Sequence, residues 1–433
     1  MTLGGFTLCK YIIRGGNKIE GRLSIRGAKN AVLPIMASTI LNESISTIHN
    51  VPDISDVDIM IKILKSLGCK IEYKDGTLIV DSSSINSIEI DEEYVNKMRS
   101  SIILMGSMVG RFNHVRIGHP GGCAIGSRPI DLHLKALSKL GIKIIEEENF
   151  INCYKDNLIG NIINLEFPSV GATENAILAS VKAKGITKIY NAAREPEIED
   201  LQNFLNKMGA KIKGAGSSYI EIEGVNTLHE VEHSIIPDRI AIGTYMVASA
   251  ITGGNLEVDN VVVSHMKPIC DKLVESGCEI IYSGNGLKLK SSKIIKPINL
   301  IKTNPHPGFP TDMQAQFMSL MALAKGSTIF HETIFENRFM HCKELVKLGA
   351  NIKELNKNIC IIEGVDSLHG AKVKSTDLRG GAALIIAGLS TRDETEICDI
   401  YHVERGYENI ENVLRNLGAD IIKVGEVEKI KGI

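Results

Sequence analysis

A short pattern made of a helix end, a glycine and a strand recurs six times along the chain. The six copies read KSLGCKI, SKLGIKI, NKMGAKI, VESGCEI, VKLGANI and RNLGADI, and their glycines are Gly68, Gly141, Gly209, Gly277, Gly349 and Gly418. Successive glycines lie 73, 68, 68, 72 and 69 residues apart. Because self-similarity at a fixed period indicates a repeated supersecondary unit, we expect the 433 residues to hold six copies of one unit.

Each unit is predicted to combine two helices with several strands. Ahead of Gly68, Val57, Ile61 and Leu64 form the apolar face of an amphipathic helix, and an alternating strand follows. Glycine suits the left-handed position that ends such a helix. A second segment in each unit is apolar almost all round and predicts a helix buried inside its own domain. These segments are AVLPIMASTIL, SIILMGSMVG, ENAILASV, AIGTYMVASAI, QFMSLMALA and AALIIAGLS. We therefore predict an α/β fold of two domains with three units each.

Charged or polar residues cluster where the inner helices begin. Helix N-termini present free N–H groups and the positive end of the helix dipole, so they favour anions. Recurrence at equivalent places favours an anionic small molecule held between two lobes, while simple helix capping stays open as the alternative. The residues are Lys29-Asn30, Arg99, Gly171–Thr173, Asp238-Arg239, Asp312 and Asp377–Arg379.

The second unit departs from the common spacing. Five units have 19 to 21 residues between the start of a strand and the junction glycine, whereas the second has 24. The extra residues fall in HPGGCAIGSRPIDLH, residues 119–133, which is rich in glycine. A flexible loop that carries Cys123 and Arg128 predicts a mobile lid over a site, and the neighbouring arginine favours the thiolate. The other cysteines are expected to be inert small hydrophobic residues.

Composition and charge exclude several classes of protein. There are 49 Lys and Arg against 51 Asp and Glu, a net charge of −2, which gives no overall reason to expect a nucleic acid or an acidic membrane as partner. Nine scattered cysteines without a CxxC pair argue against a disulfide framework. The N-terminus lacks the pattern of a signal peptide, and no apolar stretch approaches the roughly 20 residues of a membrane span. We expect a cytoplasmic protein that does not bind membranes.

Two motifs are interpreted as false positives. His229 to His233 match HExxH, which requires a helix to place both histidines on one metal ion. The segment 224–239 aligns without gaps on 364–379, which has no such motif, and EVEHSII alternates like a strand. GAGSSY, residues 214–219, lacks the third glycine of a dinucleotide-binding loop and is predicted to lie in a hairpin.

Eight motifs together resemble those of the UDP-N-acetylglucosamine 1-carboxyvinyltransferases, a family of enolpyruvyl transferases. They are RGAKNAVLPI, PGGCAIGSRPIDLH, SVGAT, NAAREPEI, PHPGFPTDMQAQ, FENRFMH, TDLRGGAAL and YHVERGYE, and the resemblance runs from Tyr11 to residue 424 in the family's order. It implies a two-domain inside-out α/β barrel built from six repeats of one unit, three per domain. The expected domains are residues 1–28 with 237–433, and residues 29–236 with the Cys123 loop. The active site is expected in the cleft between them.

The resemblance also implies a reaction. The family transfers the enolpyruvyl group of phosphoenolpyruvate to the 3′-hydroxyl of UDP-N-acetylglucosamine and releases phosphate, by addition and then elimination. Cys123 is implied as general acid and as the site of a covalent adduct, and Asp312 as the base. Lys29 and Arg405 complete the implied catalytic set. No metal and no cofactor are implied, because cationic side chains neutralise the substrates.

The implied binding residues form two groups. Those for phosphoenolpyruvate are Lys29, Asn30, Arg128, Arg338, Arg379 and Arg405. Those for UDP-N-acetylglucosamine are Asn30, Arg99, Arg128, Pro129, Ile130, Asp131, Leu132, Ser169, Val170, Gly171, Asp312 and Ile334. Glu336, Asp377 and His402 are expected beside the arginines.

Three positions depart from the family pattern, and two other functions are weighed. Ile103 replaces a frequent Trp, Phe167 a frequent Lys and Ala241 an acidic residue, which bears on nucleotide affinity rather than on the reaction. The alternatives are a shikimate-pathway enolpyruvyl transferase, which would lack the Cys123 loop, and a catalytically silent paralogue that binds UDP-sugars. A monomer is favoured.

Overall fold

The computed structural model describes residues 9–119, 126, 130–292 and 294–425. Short strands and helices alternate along this part of the chain. In chain order the strands are β1 Lys10–Arg14, β2 Gly21–Ser24, β3 Ile45–His49, β4 Lys70–Lys74, β5 Thr77–Asp81, β6 Glu89–Ile90, β7 His114–Gly118, β8 Lys143–Glu146, β9 Phe150–Tyr154, β10 Ile162–Asn164, β11 Ile186–Tyr190, β12 Lys211–Lys213, β13 Tyr219–Glu223, β14 Val231–Ser234, β15 Asn255–Asp259, β16 Glu279–Ser283, β17 Gly286–Lys290, β18 Leu300–Lys302, β19 Ser327–His331, β20 Asn351–Asn356, β21 Ile359–Glu363, β22 Lys372–Lys374, β23 Glu394–Cys398 and β24 Asp420–Val424.

The helices lie between these strands and are of moderate length. They are α1 Lys29–Ser38, α2 Ser55–Ser66, α3 Glu92–Lys97, α4 Leu104–Arg111, α5 Asp131–Lys139, α6 Val170–Ser180, α7 Pro196–Lys207, α8 Arg239–Thr252, α9 Val263–Glu275, α10 Gln314–Met321, α11 Cys342–Lys347, α12 Leu378–Leu389, α13 Tyr401–Glu404 and α14 Ile410–Asn416, with 3-10 turns at Thr39–Leu41, Arg99–Ile103 and Thr311–Met313. Among the described helices, none is both long and apolar enough to cross a membrane.

Six four-stranded sheets share one topology, which confirms the six predicted units. In each sheet an edge strand runs parallel to its neighbour, and the two remaining pairings are antiparallel. The orders are β14-β3-β5-β4, β6-β7-β9-β8, β10-β11-β13-β12, β2-β15-β17-β16, β18-β19-β21-β20 and β22-β23-β1-β24. Within the described ranges each sheet is open, and no sheet closes on itself into a barrel.

The six junction glycines end their helices as predicted. Their φ angles lie between +91° and +107°, a region that side chains with a Cβ rarely adopt. At the last junction the amide of Gly418 donates to Arg415 and that of Ala419 to Leu414, so the free carbonyl groups of α14 are used.

Two sheets each contain an edge strand that leads, along the chain, into a helix of another unit. β2 leads into α1 but pairs with β15, and β14 leads into α8 but pairs with β3. The two connections meet at an antiparallel bridge between Gly27 and Pro237. Beside it the amide of Lys29 donates to Oδ2 of Asp238 at 3.1 Å. The chain therefore crosses twice, at one place, between two parts of the molecule.

The buried hydrophobic residues form two separate cores. One extends from Ala28 to Ile235, and we call the surrounding part the continuous lobe. The other combines residues 11–23 with residues 240–421, and we call its surroundings the discontinuous lobe. The inner helices α1, α4 and α6 pack in the first core, and α8, α10 and α12 in the second, which confirms that the apolar segments are buried. The domain boundaries at 28/29 and 236/237 stay a prediction.

The two discounted motifs have the predicted backbone. β14 contains His233, whose Nε2 lies 2.9 Å from Oδ1 of Asp200, while His229 is exposed beside the end of the preceding helix. In the part of the chain that the structure describes, no three His, Cys, Asp or Glu side chains converge as metal ligands. GAGSSY joins β12 to β13 in a hairpin, as predicted.

Candidate active site

A cavity of about 1100 Å³ lies between the continuous and the discontinuous lobe. All predicted site residues that the structure describes line it, although they are scattered over more than 370 positions of the chain. They are Lys29, Asn30, Arg99, Ile130, Asp131, Leu132, Ser169, Val170, Gly171, Asp312, Ile334, Arg338, Arg379 and Arg405, with Glu336, Asp377 and His402 beside them. Cys123, Arg128 and Pro129 lie outside the described residues, so the predicted lid is untested.

Asp312 forms the centre of a charged cluster in the cavity. Its Oδ1 accepts from Arg338 at 3.0 Å and its Oδ2 from Arg379 at 2.9 Å. Asn30, from the other lobe, approaches Oδ2 at 3.4 Å. Burial by itself would raise the pKa of Asp312, but Arg379 and Arg338 outweigh burial and hold the pKa well below its usual value. The carboxylate is therefore ionised and joins both lobes.

A second cluster is built around a buried carboxylate on the first turn of α2. Oδ2 of Asp56 lies 2.8 Å from Nζ of Lys29, and Arg405 approaches the same group with Nε at 2.9 Å and Nη2 at 3.2 Å. Asp56 is completely buried and Lys29 nearly so. Burial lowers the pKa of Lys29, and Asp56 opposes that shift. Arg405 belongs to the discontinuous lobe, so this cluster also joins the lobes.

The beginnings of the inner helices place several of these side chains. Asp377 caps α12, because its Oδ1 accepts from the amides of Arg379 and Gly380 at 3.0 and 3.1 Å. Ser169 caps α6 through the amide of Ala172 at 3.4 Å. The predicted capping role is thus present, and the same helix ends face the cavity, so capping and anion binding are compatible here.

Comparison with known proteins identifies the family of this chain. A family model described as EPSP synthase (3-phosphoshikimate 1-carboxyvinyltransferase) matches residues 13–414. UDP-N-acetylglucosamine 1-carboxyvinyltransferase 2 of Caldanaerobacter subterraneus is 49% identical over 96% of this chain and 99% of its own length. UDP-N-acetylglucosamine 1-carboxyvinyltransferase of Geotalea uraniireducens is 46% identical over 96% of this chain and all of its own length. The chain belongs to the UDP-N-acetylglucosamine 1-carboxyvinyltransferase family.

Solved structures confirm the fold of this family member. The enolpyruvyl transferase NikO from Streptomyces tendae superposes with a TM-score of 0.88 at 23% identity, covering 97% of this chain and 100% of that one. EPSP synthase from Acinetobacter baumannii gives a TM-score of 0.72 at 18% identity, covering 96% of this chain and 100% of that one. At sequence identities below 25%, these superpositions establish the fold alone, and they confirm the predicted fold class.

The three departures from the family pattern have different surroundings. Phe167 is 40% exposed at the cavity, at the position where the family often has a cation. Ile103 lines the cavity from a buried position. Ala241 faces instead a separate cavity of about 270 Å³ beside the two crossing connections.

Sequence reasoning missed two acidic residues of this transferase. The amphipathic pattern around Val57 and the apolar segment ENAILASV contain these residues, Asp56 and Glu174, and assign no function to either. Asp56 does carry a usable signal, since it shares the buried face of α2 with Met60 and Ile63. A charged residue in register with an apolar face predicts a buried ion pair. Its partners on distant segments could not be identified from spacing.

Proposed function

We propose that this protein transfers the enolpyruvyl group of phosphoenolpyruvate to the 3′-hydroxyl of UDP-N-acetylglucosamine and releases phosphate. The observation that carries the proposal is the convergence of Lys29, Arg338, Arg379 and Arg405 around one cavity between the lobes. The names of relatives at 46–49% identity support the substrates. The product is the first committed precursor of peptidoglycan. An acceptor other than a nucleotide sugar is not favoured, because these relatives cover nearly the whole chain.

The four cations suit the two anionic groups of phosphoenolpyruvate. Guanidinium groups bind carboxylate and phosphate oxygens in pairs, which both neutralises and orients them. In the proposed complex Lys29 and Arg405, with Arg128, hold the phosphate. Arg338 and Arg379 hold the carboxylate. In the structure each pair shares one carboxylate, Asp56 or Asp312, which keeps both cations at the cavity.

Asp312 acquires its proposed role as base when the substrate binds. In the structure Arg379 and Arg338 hold the pKa of Asp312 low, and such a carboxylate is a weak base. When the carboxylate of phosphoenolpyruvate draws these guanidinium groups to itself, Asp312 loses their stabilisation and its pKa rises. Substrate binding thereby prepares the carboxylate to accept the 3′-hydroxyl proton.

The proposed chemistry proceeds through a tetrahedral ketal. The 3′-oxygen forms a bond to C2 of phosphoenolpyruvate while C3 receives a proton from the Cys123 thiol and Asp312 takes the hydroxyl proton. In the elimination the Cys123 thiolate takes one proton back from C3 as the C2–O bond to phosphate breaks, which restores the double bond. The departing phosphate takes the proton held by Asp312, so both side chains return to their starting state. Cys123 is also the proposed site of a covalent adduct with phosphoenolpyruvate.

UDP-N-acetylglucosamine is proposed to lie along the other wall of the cavity. Ile130, Asp131 and Leu132 line this wall next to Ser169–Gly171 at the start of α6. The free amides and dipole of a helix start favour a diphosphate. Ile334 and Asn30 close the sugar end near Asp312, and Arg99 lies on the same cavity wall.

The proposal also covers the domain boundaries, the cellular compartment and the oligomeric state. We place the domain boundaries at 28/29 and 236/237, which the two cores and the paired crossings support. The eight described cysteines are all free, which supports a reducing compartment and hence the cytoplasm. We retain the monomer as the proposed state.

A phosphate-release assay tests the proposed function. Release is expected only when phosphoenolpyruvate and UDP-N-acetylglucosamine are both present, and Cys123→Ser is expected to abolish it. Release with shikimate 3-phosphate instead would favour the second enolpyruvyl transferase. No release at any protein concentration, with UDP-N-acetylglucosamine still bound, would favour the silent paralogue.

Fosfomycin labelling tests the reactivity of the cysteine. Fosfomycin, an epoxide, is expected to add its mass to the Cys123 peptide. Equal labelling of all nine cysteines would contradict a specially reactive Cys123.

A further inference from the structure

A buried carboxyl group on the cavity wall has no part in the reaction described above. Glu174 lies on α6, is 2% exposed and lines the cavity. Within the described part of the chain, burial and the charges of Glu197 and Glu195 act on its carboxyl group, and no hydrogen bond or ion pair does. Because Glu174 lines the cavity, a ligand there can supply the hydrogen-bond partner that the described residues do not.

The neighbouring side chains supply Glu174 with no cation. Glu197 uses both carboxylate oxygens for Arg239, at 3.0 and 3.2 Å. Glu195 accepts from the amide of His306 at 3.3 Å, and its Oε2 has no partner among the described residues. Burial, then Glu197 and Glu195, raise the pKa of Glu174 well above its usual value. The raised pKa favours the protonated carboxyl group, which can both donate and accept hydrogen bonds.

The place of Glu174 along the cavity decides which part of a ligand it meets. It lies one helical turn after Ser169–Gly171, the proposed diphosphate site. Glu195 and His306, next to it, lead to the segment that carries Asp312, the proposed partner of the reacting hydroxyl. No cation is among the groups that act on Glu174, so this wall offers no charge partner to the diphosphate or to the anions of phosphoenolpyruvate. The stretch between diphosphate and reacting hydroxyl belongs to an uncharged, hydroxyl- and amide-bearing group.

We propose that Glu174 is a specificity residue that hydrogen-bonds the uncharged sugar portion of the nucleotide sugar. The proposal rests on the proposed function, because it assumes that the cavity holds UDP-N-acetylglucosamine. It assigns to Glu174 the distinction between a nucleotide that carries the N-acetylated sugar and one that does not. Phosphoenolpyruvate makes no contact with Glu174.

Calorimetric titration of the full chain with UDP-N-acetylglucosamine and with UDP tests this assignment. For Glu174→Leu we expect the affinity for UDP-N-acetylglucosamine to fall about 10-fold, the usual effect of one lost hydrogen bond, while the affinity for UDP stays unchanged. For Glu174→Gln, which keeps a donor and an acceptor in the same shape, both affinities are expected to stay within about 3-fold. KM for phosphoenolpyruvate is expected to be the same in all three proteins.

Each other outcome has a defined meaning. An equal loss of affinity for UDP and UDP-N-acetylglucosamine, or no loss for either, overturns the proposal. If Glu174→Leu does not fold, Glu174→Asp replaces it, because its shorter side chain moves the carboxyl group away from the ligand by one methylene. The affinities for UDP and UDP-N-acetylglucosamine are then compared in the same way. A wild-type protein that binds UDP-N-acetylglucosamine without releasing phosphate contradicts the proposed function and leaves this titration valid. A wild-type protein that does not bind UDP-N-acetylglucosamine overturns both.

Discussion

At the scale of single residues, Asp56 is a buried charge on which two proposed substrate ligands depend. We expect Asp56→Ala to lower the free energy of unfolding by about 3–5 kcal/mol, because it leaves Lys29 and Arg405 without their buried partner. Denaturant unfolding measures the loss. Asp271→Ala is the matched control, since it breaks an exposed pair with Lys267 and should cost less than about 1 kcal/mol. Equal losses would contradict the special role of Asp56.

The same carboxylate predicts a dependence of stability on pH. Burial would raise the pKa of Asp56, but Lys29 and Arg405 outweigh it and hold the folded-state pKa below the usual value. The stabilising contribution is therefore complete above the unfolded pKa of about 3.9 and is lost as pH falls through the lower folded value. We expect the difference in stability between wild type and Asp56→Asn to shrink below about pH 4. A difference that stayed constant to lower pH would contradict this assignment.

Asp312 carries a prediction about rate rather than affinity. Asp312→Asn keeps the shape of the side chain but cannot accept the hydroxyl proton, so we expect kcat to fall about 10²- to 10⁴-fold. Arg338 and Arg379 remain available to the carboxylate of phosphoenolpyruvate, so the covalent adduct on Cys123 should still form. Steady-state kinetics and intact-protein mass measurement separate the two effects. A variant that lost the adduct with its turnover would assign Asp312 to substrate binding instead.

At the scale of helices and strands, two glycines that follow helices, the junction glycine Gly68 after α2 and Gly253 after α8, predict unequal costs of substitution. A Cβ at Gly68 would lie 2.8 Å from the carbonyl oxygen of Ser84, at a φ of +107°. Gly253 also has a positive φ, +73°, but a Cβ there meets nothing within 4 Å. Gly253→Ala should therefore cost only about 1–2 kcal/mol for the left-handed backbone, and Gly68→Ala distinctly more. Thermal unfolding of both variants measures the difference, and equal shifts would exclude the clash.

These elements also show how far sequence alone reaches. The period of the junction glycines predicted six units, and the all-apolar segments predicted which helices are buried, because both are local properties of the chain. The exchange of β2 and β14 between sheets could not be derived from the repeat, since each strand is continuous in sequence with the helix that it leaves behind. It followed only from the domain boundaries that the family resemblance implies. Asp312 and Arg379 could be placed at helix starts, but their contact across 67 positions depends on how whole units pack.

At the scale of the whole molecule, local charge and net charge make opposite predictions about anionic substrates. The net charge is −2, yet four of the cationic side chains that line the cavity form two clusters, and in each cluster two cations share one carboxylate. A field that is concentrated in a cleft attracts anions over a distance set by the screening length of the solution. Salt shortens this length to about 10 Å at 0.1 M and about 3 Å at 1 M ionic strength. The distribution of charge, rather than its sum, is what an approaching phosphoenolpyruvate meets.

We therefore expect KM for phosphoenolpyruvate to rise several-fold between low salt and about 0.5 M KCl, with little change in kcat. Lys18→Gln is the control, because Lys18 is exposed and makes no ion pair within the described residues, yet its loss changes the net charge by one unit. If the cavity field governs binding, this variant keeps the salt dependence of the wild type. A KM that does not change with salt would show that the four cations act only on contact. A Lys18→Gln curve displaced from that of the wild type would show that net charge governs the encounter.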